Sequence, residues 1–371
     1  MEKNSEVAYE INEEIYCRFE EKNHMIYRRL WDKSLSTFGK MFEENIENHI
    51  NSKKEGYSRV DFAIVAAGWT VYERFPFAFA WQRKNDYDIG YGLDWMKIKY
   101  QIKDPKDFTL ILKKVAKFYG ASLVGVTDIN EKWVYKTGFL RTDMTSEADS
   151  KKELREGKSS KDILENAINL PQGINKAIVM AIEMDHDAIS TAPAQPAAAA
   201  AAVAYSKMAF VISCLGEFIR NLGYRAIQCG NDTAISIPLA IDAGLGAIGR
   251  HGLLITPEYG PRVRICKIFT DIPLVSDKPN LEFIGKVRNF CSQCFKCADI
   301  CETKAISTEV EPFFKPPTIS NNPGVKKYYV NVEKCFEFWI ENSSDCGYCI
   351  SICPFSKVKT TLSATDFWKT F

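Results

Sequence analysis

Residues 107–119, "DFTLILKKVAKFY", carry apolar side chains at intervals of three and four and run into Gly120. That spacing gathers one face of a helix, and the glycine ends it. The pattern then changes. "ASLVGVTDI" at 121–129 and "AIVMAIEM" at 177–184 are short, nearly unbroken apolar runs that read as buried strands. Beyond "PAQP", the stretch "AAAAAAVAYSKMAFVISCLGEFIRNLG" predicts one long Ala-rich helix stopping at Gly223, its alanines suited to close helix packing. "YRAIQ" at 224–228 and "RVRICKIFTD" at 262–271 predict two more strands, with a short helix around "SIPLAIDAG" between them. Helices and strands alternate without a regular series of βαβ units, so the class is α/β in its α+β form. "GLGAIG" at 244–249 has the glycine spacing of a dinucleotide loop, but it follows a helix-like stretch instead of a strand, which argues against that use.

The pattern divides the chain into 1–105, 106–285 and 286–371. The first part is rich in charge and aromatics, with Trp31, Trp69, Trp81 and Trp95 close together. It is expected to wrap the core with its aromatics packed inward, and the same rings can roof an apolar pocket.

Composition narrows the function. A formal net charge of +1 on 371 residues gives no bias toward polyanions, so no nucleic-acid partner is expected. No stretch is expected to span a bilayer, and the acidic start "MEKNSEVAYEINEEIYCRFEEKN" has no basic or apolar signal region. The expectation is a cytoplasmic protein without a transmembrane segment.

Eight of the twelve cysteines lie beyond residue 290. Cys17, Cys214, Cys229 and Cys266 are scattered and read as small hydrophobes. "CSQCFKCADIC" places Cys291, Cys294, Cys297 and Cys301 with the spacing of half a bacterial two-cluster ferredoxin. "CFEFWIENSSDCGYCISICP" adds Cys335, Cys346, Cys349 and Cys353, with a proline after the last. By the crossing rule of such ferredoxins, Cys291, Cys294, Cys297 and Cys353 hold one 4Fe–4S cluster and Cys301, Cys335, Cys346 and Cys349 the other. A zinc ribbon is the competing reading, but it seldom carries the third cysteine or the CxxxCP ending. Glu302 stands where such runs usually have proline, and a carboxylate there disfavours adding an electron.

Taken together, "NHMIYRRLWDK", "RVDFAIVAAGWTVYERFPFAFAW", "KKVAKFYGASLVGV", "AYSKMAF", both cysteine runs and above all the block 229–274 resemble the corrinoid- and iron–sulfur-dependent reductive dehalogenases. The resemblance implies a nitroreductase-like corrinoid-binding core over 106–285, a wrapping N-terminal region and a C-terminal ferredoxin-like domain. It implies a cobalamin with no protein ligand on cobalt, fed with electrons by two 4Fe–4S clusters and removing halide from an organohalide. An external low-potential donor (ferredoxin, flavodoxin or a membrane-linked reductase) would supply those electrons. By the same resemblance Tyr205 is the proton donor, Arg264 the arginine beside it and Asn231 a polar residue of the pocket, with Trp339 lining it. Gly230, Asn231, Asp232 and Thr233, then Gly244, Gly246, Gly249, Arg250, His251 and Gly252, would contact the corrinoid. Glycines there would let backbone approach a flat ligand. Read without the resemblance, the glycines are ordinary turns, His251 caps one of them, and Tyr205 is a packed helix tyrosine. Epoxyqueuosine reductase, which resembles this family but acts on tRNA, is expected to be more basic and to lack the aromatic N-terminal region. A plain ferredoxin-like carrier leaves some 285 residues unexplained.

Overall fold

The strands expected from the apolar runs pair into a single sheet. The computed structural model describes residues 7–29, 31–35, 38–74, 98–141, 163–357 and 363–369. Within them lie β1 (Leu123–Asp128), β2 (Thr137–Arg141), β3 (Ile163–Ala167), β4 (Lys176–Glu183), β5 (Ala226–Cys229), β6 (Ala247–Ile248), β7 (Leu254–Ile255) and β8 (Val263–Thr270). The central sheet runs β1-β4-β8-β5 with every neighbour antiparallel. Two small hairpins, β2–β3 and β6–β7, were not anticipated. β2 and β3 mix polar and apolar residues, and β6 and β7 have two residues each, so neither pair forms an apolar run. "GLGAIG" leaves the helix Ser236–Asp242 and enters β6; it does not open a helix after a strand.

Side chains on β8 alternate between two cores, as the period of a strand requires. Cys266 and Ile268 pack beneath the helix Gln195–Asn221 with Met180, Met208 and Ile212. Val263 and Phe269 face the other way, toward the helix Ser236–Asp242 and residues Leu239 and Ile241. The alanines of the long helix admit close neighbours: a Cβ on Gly68 would lie 2.9 Å from the Ala202 methyl. Ser206 Oγ donates to the Gly68 carbonyl at 2.5 Å and accepts from Tyr72 N at 3.2 Å, tying residues 59–74 to this helix.

One expectation needs correction. By length and composition the helix Gln195–Asn221 could cross a membrane. Its lysine and glutamate are few enough, and its alanines apolar enough, to pass that test. In the fold most of it is buried against the sheet and residues 59–74, so its apolar face is spent on the core.

The N-terminal segment lies across this core. Tyr9 and Tyr16 meet Trp133 edge-on at 4.9 and 6.3 Å, and Trp31 Nε1 donates to the Lys22 carbonyl. Trp81 and Trp95 fall outside the described residues. The cysteine-bearing helices Leu281–Gln293 and Val332–Asn342 start at Asn280 and Asn331, whose side chains accept backbone N–H groups and cap them.

Candidate active site

Three expected residues meet at one place. Tyr205 stands midway along the long helix, Arg264 on β8 opposite Ile182, and Asn231 on the loop after β5. Arg264 is on the β8 face that looks toward the long helix. Its guanidinium lies over the Tyr205 ring, 5.2 Å from the centroid. Asn231 Nδ2 donates to the Tyr205 hydroxyl at 2.8 Å. Trp69 stacks on the same ring at 5.0 Å and Tyr72 meets it edge-on at 5.2 Å. The ring thus has a cation over its face and an amide donor at its oxygen.

The loop bearing Asn231 is held from beneath by a residue the sequence reading passed over. Lys267 alternates with Arg264 on β8, is fully buried, and donates to the carbonyls of Gly230, Asp232 and Ala234 at 2.5, 2.9 and 2.8 Å and to Ser236 Oγ at 3.1 Å. Burial lowers its pKa. Asp232 accepts from Gly230 N and from Thr233 Oγ1, and Tyr135 donates to the Asn231 carbonyl at 2.9 Å. Gly230, Asp232 and Thr233 thus shape the loop that presents Asn231. A lysine inside the apolar run "VRICKIFT" was the available signal.

The block 244–252 departs from expectation. A Cβ on Gly246 would stand 2.1 Å from the Ile255 carbonyl oxygen, and one on Gly244 2.7 Å from that of Lys278. At Gly249 the neighbours are Ile255 and His251, and at Gly252 Val330. A side chain at Gly244 or Gly246 would run into the protein's own backbone, which requires glycine there whatever else the block contacts. Arg250 is the larger correction. It is buried and clamps the iron–sulfur region, donating to the carbonyls of Cys291, Cys294, Ser307 and Glu309, its guanidinium 4.2 Å from the Phe295 ring centroid and 4.0 Å from that of Tyr328. His251 is buried, and its Nδ1 accepts from Leu253 N at 3.2 Å. Burial lowers its pKa to about 4, so the ring is neutral and Nε2 carries the hydrogen. Nε2 has no partner among the described residues, and neither does the buried Arg264 Nε.

The cysteines gather in two fours. The Cys297 thiol feels those of Cys291, Cys353 and Cys294; the Cys349 thiol feels Cys335, Cys346 and Cys301, with Cys297 across the gap. Burial pushes Cys297, Cys335 and Cys346 up to about 12. Holding such groups as thiolates takes a metal's charge. No three His, Cys, Asp or Glu side chains among the described residues converge on a single-ion point. Glu302 lies close enough to act on Cys346. Asp345, which precedes Cys346, pairs with Arg264 at 3.7 Å and so joins the second four to the tyrosine site. The sequence reading did not single it out. Trp339 packs with Met25, Leu35 and Ile340, and its ring lies 6.1 Å from that of Phe336.

Two sets of four thiols, the second joined through Asp345 to a tyrosine flanked by a guanidinium and an amide, are the arrangement of an iron–sulfur redox protein. The reductive dehalogenase subunit family matches residues 154–274, and the 4Fe-4S dicluster domain family matches 290–357. The chain is 38% identical over 283 residues to a tetrachloroethene reductive dehalogenase of Desulfitobacterium hafniense, covering 71% of this chain and 50% of that protein. It is 34% identical over 330 residues to that of Sulfurospirillum multivorans, covering 85% and 65%. A solved reductive dehalogenase described for B12-dependent dehalogenation superposes with a TM-score of 0.63 at 19% identity, over 98% of this chain and 45% of that one. Epoxyqueuosine reductase of Atelocyanobacterium thalassa matches over 122 residues only, 31% of this chain. The chain belongs to the reductive dehalogenase family and has its mixed α/β fold. It spans about half the length of the first curated relatives it matches.

Proposed function

We propose that the protein removes halide from an organohalide: R–X, two electrons and one proton give R–H and X⁻. The observation that carries this is the Tyr205 hydroxyl held by Asn231 under the Arg264 guanidinium, next to a cysteine set through Asp345. Tyr205 gives its Oη proton to the carbon that loses halide. Asn231 and Arg264 stabilise the tyrosinate left behind, and Arg264 offers its charge to the departing anion. Trp69 and Tyr72 cover the ring and limit water.

Cys291, Cys294, Cys297 and Cys353 would hold one 4Fe–4S cluster, and Cys301, Cys335, Cys346 and Cys349 the other. The ferredoxin spacing of the cysteines and the match to a 4Fe-4S dicluster domain favour iron–sulfur clusters over zinc. A corrinoid bound in the nitroreductase-like core supplies a strongly reducing cobalt for the carbon–halogen bond. The residues fit it: the buried Nε atoms of His251 and Arg264 lack protein partners and can donate to polar groups on its rim.

Anaerobic reconstitution with iron, sulfide and cobalamin should load about eight iron and about one cobalt per chain. Halide release should follow with tetrachloroethene, the substrate in the relatives' names. Tyr205→Phe should load equally and lose about 10²- to 10⁴-fold in rate. Stoichiometric zinc with no cobalt retained, or a fully loaded Tyr205→Phe working at wild-type rate, overturns this reading.

A further inference from the structure

A groove of about 840 Å³ opens on the surface beside the first cysteine set, and Cys294 forms part of its wall. Its floor is aromatic: Phe290 and Phe355 meet edge-on at 5.2 Å and 77°, and Phe290 is 42% exposed. Phe283 braces Phe355 at 6.2 Å. The edge is basic. Lys286 and Lys296 are exposed lining residues in no ion pair among the described residues, and the lining acid, Asp299, has Lys304 Nζ 2.7 Å from its backbone oxygen. None of the second set lines this groove; it is joined instead to Arg264 and Tyr205 through Asp345. Cys297 of the first set packs in one cluster with Cys301 and Cys349 of the second, so the two sets adjoin there.

We propose that this groove receives a small acidic iron–sulfur protein, which passes single electrons to the cluster held by Cys291, Cys294, Cys297 and Cys353. The inference rests on the cluster reading above and names its reductant. Each transfer oxidises the donor's iron–sulfur centre by one electron and reduces the acceptor cluster by one; two transfers meet the needs of one R–X. An apolar floor within a basic rim is complementary to a carrier whose cofactor edge is apolar and whose surroundings are acidic. Opposite charges speed and orient the encounter, and the apolar contact brings the two centres close. The exposed Phe290 and the cluster ligand Cys294 on one wall have the same explanation, since a carrier seated there stands against the cluster.

The test uses the full chain loaded with iron and sulfide and a purified, pre-reduced acidic two-cluster ferredoxin as the probe. Stopped-flow bleaching of the acceptor clusters gives the second-order rate at several ionic strengths. The wild-type rate should fall as salt rises. Lys286→Glu combined with Lys296→Glu should slow the reaction about tenfold or more at low salt and flatten its salt dependence. Reduction by titanium(III) citrate, which needs no docking, should stay unchanged. Phe290→Ala should slow the ferredoxin reaction at every salt concentration. A double variant reduced by ferredoxin at wild-type rate overturns the proposal, as does an equal loss with titanium(III) citrate, which would place the lysines' effect on the cluster itself. A chain that loads no iron overturns the cluster reading and the docking site with it. Absence of halide release leaves this measurement unaffected, so the two proposals fail separately.

Discussion

Arg250 is a full positive charge whose described partners are carbonyl oxygens and aromatic faces. It sits against the peptides of Cys291 and Cys294 in a buried site, where its field is weakly screened. A positive charge there would stabilise the added electron on the cluster proposed at those cysteines. Arg250→Met should therefore make that cluster's midpoint potential more negative, while Arg250→Lys restores part of the shift; an EPR-monitored redox titration of the loaded protein reads both. Purely structural loss would broaden or abolish the signal without an ordered shift. Glu302 has the opposite sign beside the other four cysteines. Arg250 was misread because its role depends on residues some forty to sixty positions away, which nothing in "GRHG" reveals. Arg264 and Tyr205 were legible only through the family resemblance, since periodicity makes both ordinary positions on a strand and a helix.

At the level of elements, β8 carries the site on both faces: Arg264 reaches the tyrosine, and Lys267 fixes the loop that brings Asn231 to the same hydroxyl. The N-terminal segment depends on a different buried group. Glu21 accepts from Phe139 N at 2.8 Å, which ties residues 21–23 to β2. Burial, with Asp232 nearby, raises its pKa from 4.5 to about 8. Below pH 4.5 the carboxyl is protonated in both folded and unfolded chains. Between 4.5 and about 8 the unfolded chain ionises while the folded one keeps its proton, so stability falls through that window as pH rises and levels off above it. Glu21→Gln should flatten this dependence: its melting temperature should exceed the wild type's at pH 8.5, and the gap should shrink toward pH 5. A constant gap would count against the assignment. Elements with apolar runs, unbroken in β4 and interrupted by Arg264 and Lys267 in β8, were legible in the sequence. The β2–β3 hairpin was not, because its pairing comes from tertiary context and its residues alternate too weakly to signal a strand.

Across the whole molecule the parts lie in sequence from groove to chemistry. Cys294 faces the groove, Cys297 and Cys349 link the two thiol sets, and Asp345 with Arg264 links the second set to Tyr205. The cysteine spacing made the two sets legible. Their order relative to solvent was not, because it depends on how the last eighty residues fold against the core.

The open wall at Cys294 also governs durability. Dioxygen reaches a 4Fe–4S cluster through whatever opening exposes its sulfur ligands, and the groove that admits a partner admits a small oxidant as well. A short exposure to air should therefore bleach the cluster at Cys291, Cys294, Cys297 and Cys353 first, leaving about half of the iron, four of roughly eight atoms, still bound. The midpoint shift of Arg250→Met identifies which EPR signal belongs to it. Equal decay of both signals would show that the groove is not the route of attack. Loss in the expected order means that oxygen removes the outer cluster while the site around Tyr205 is still intact, so damaged protein should regain whatever activity the proposed site supports once iron and sulfide are restored.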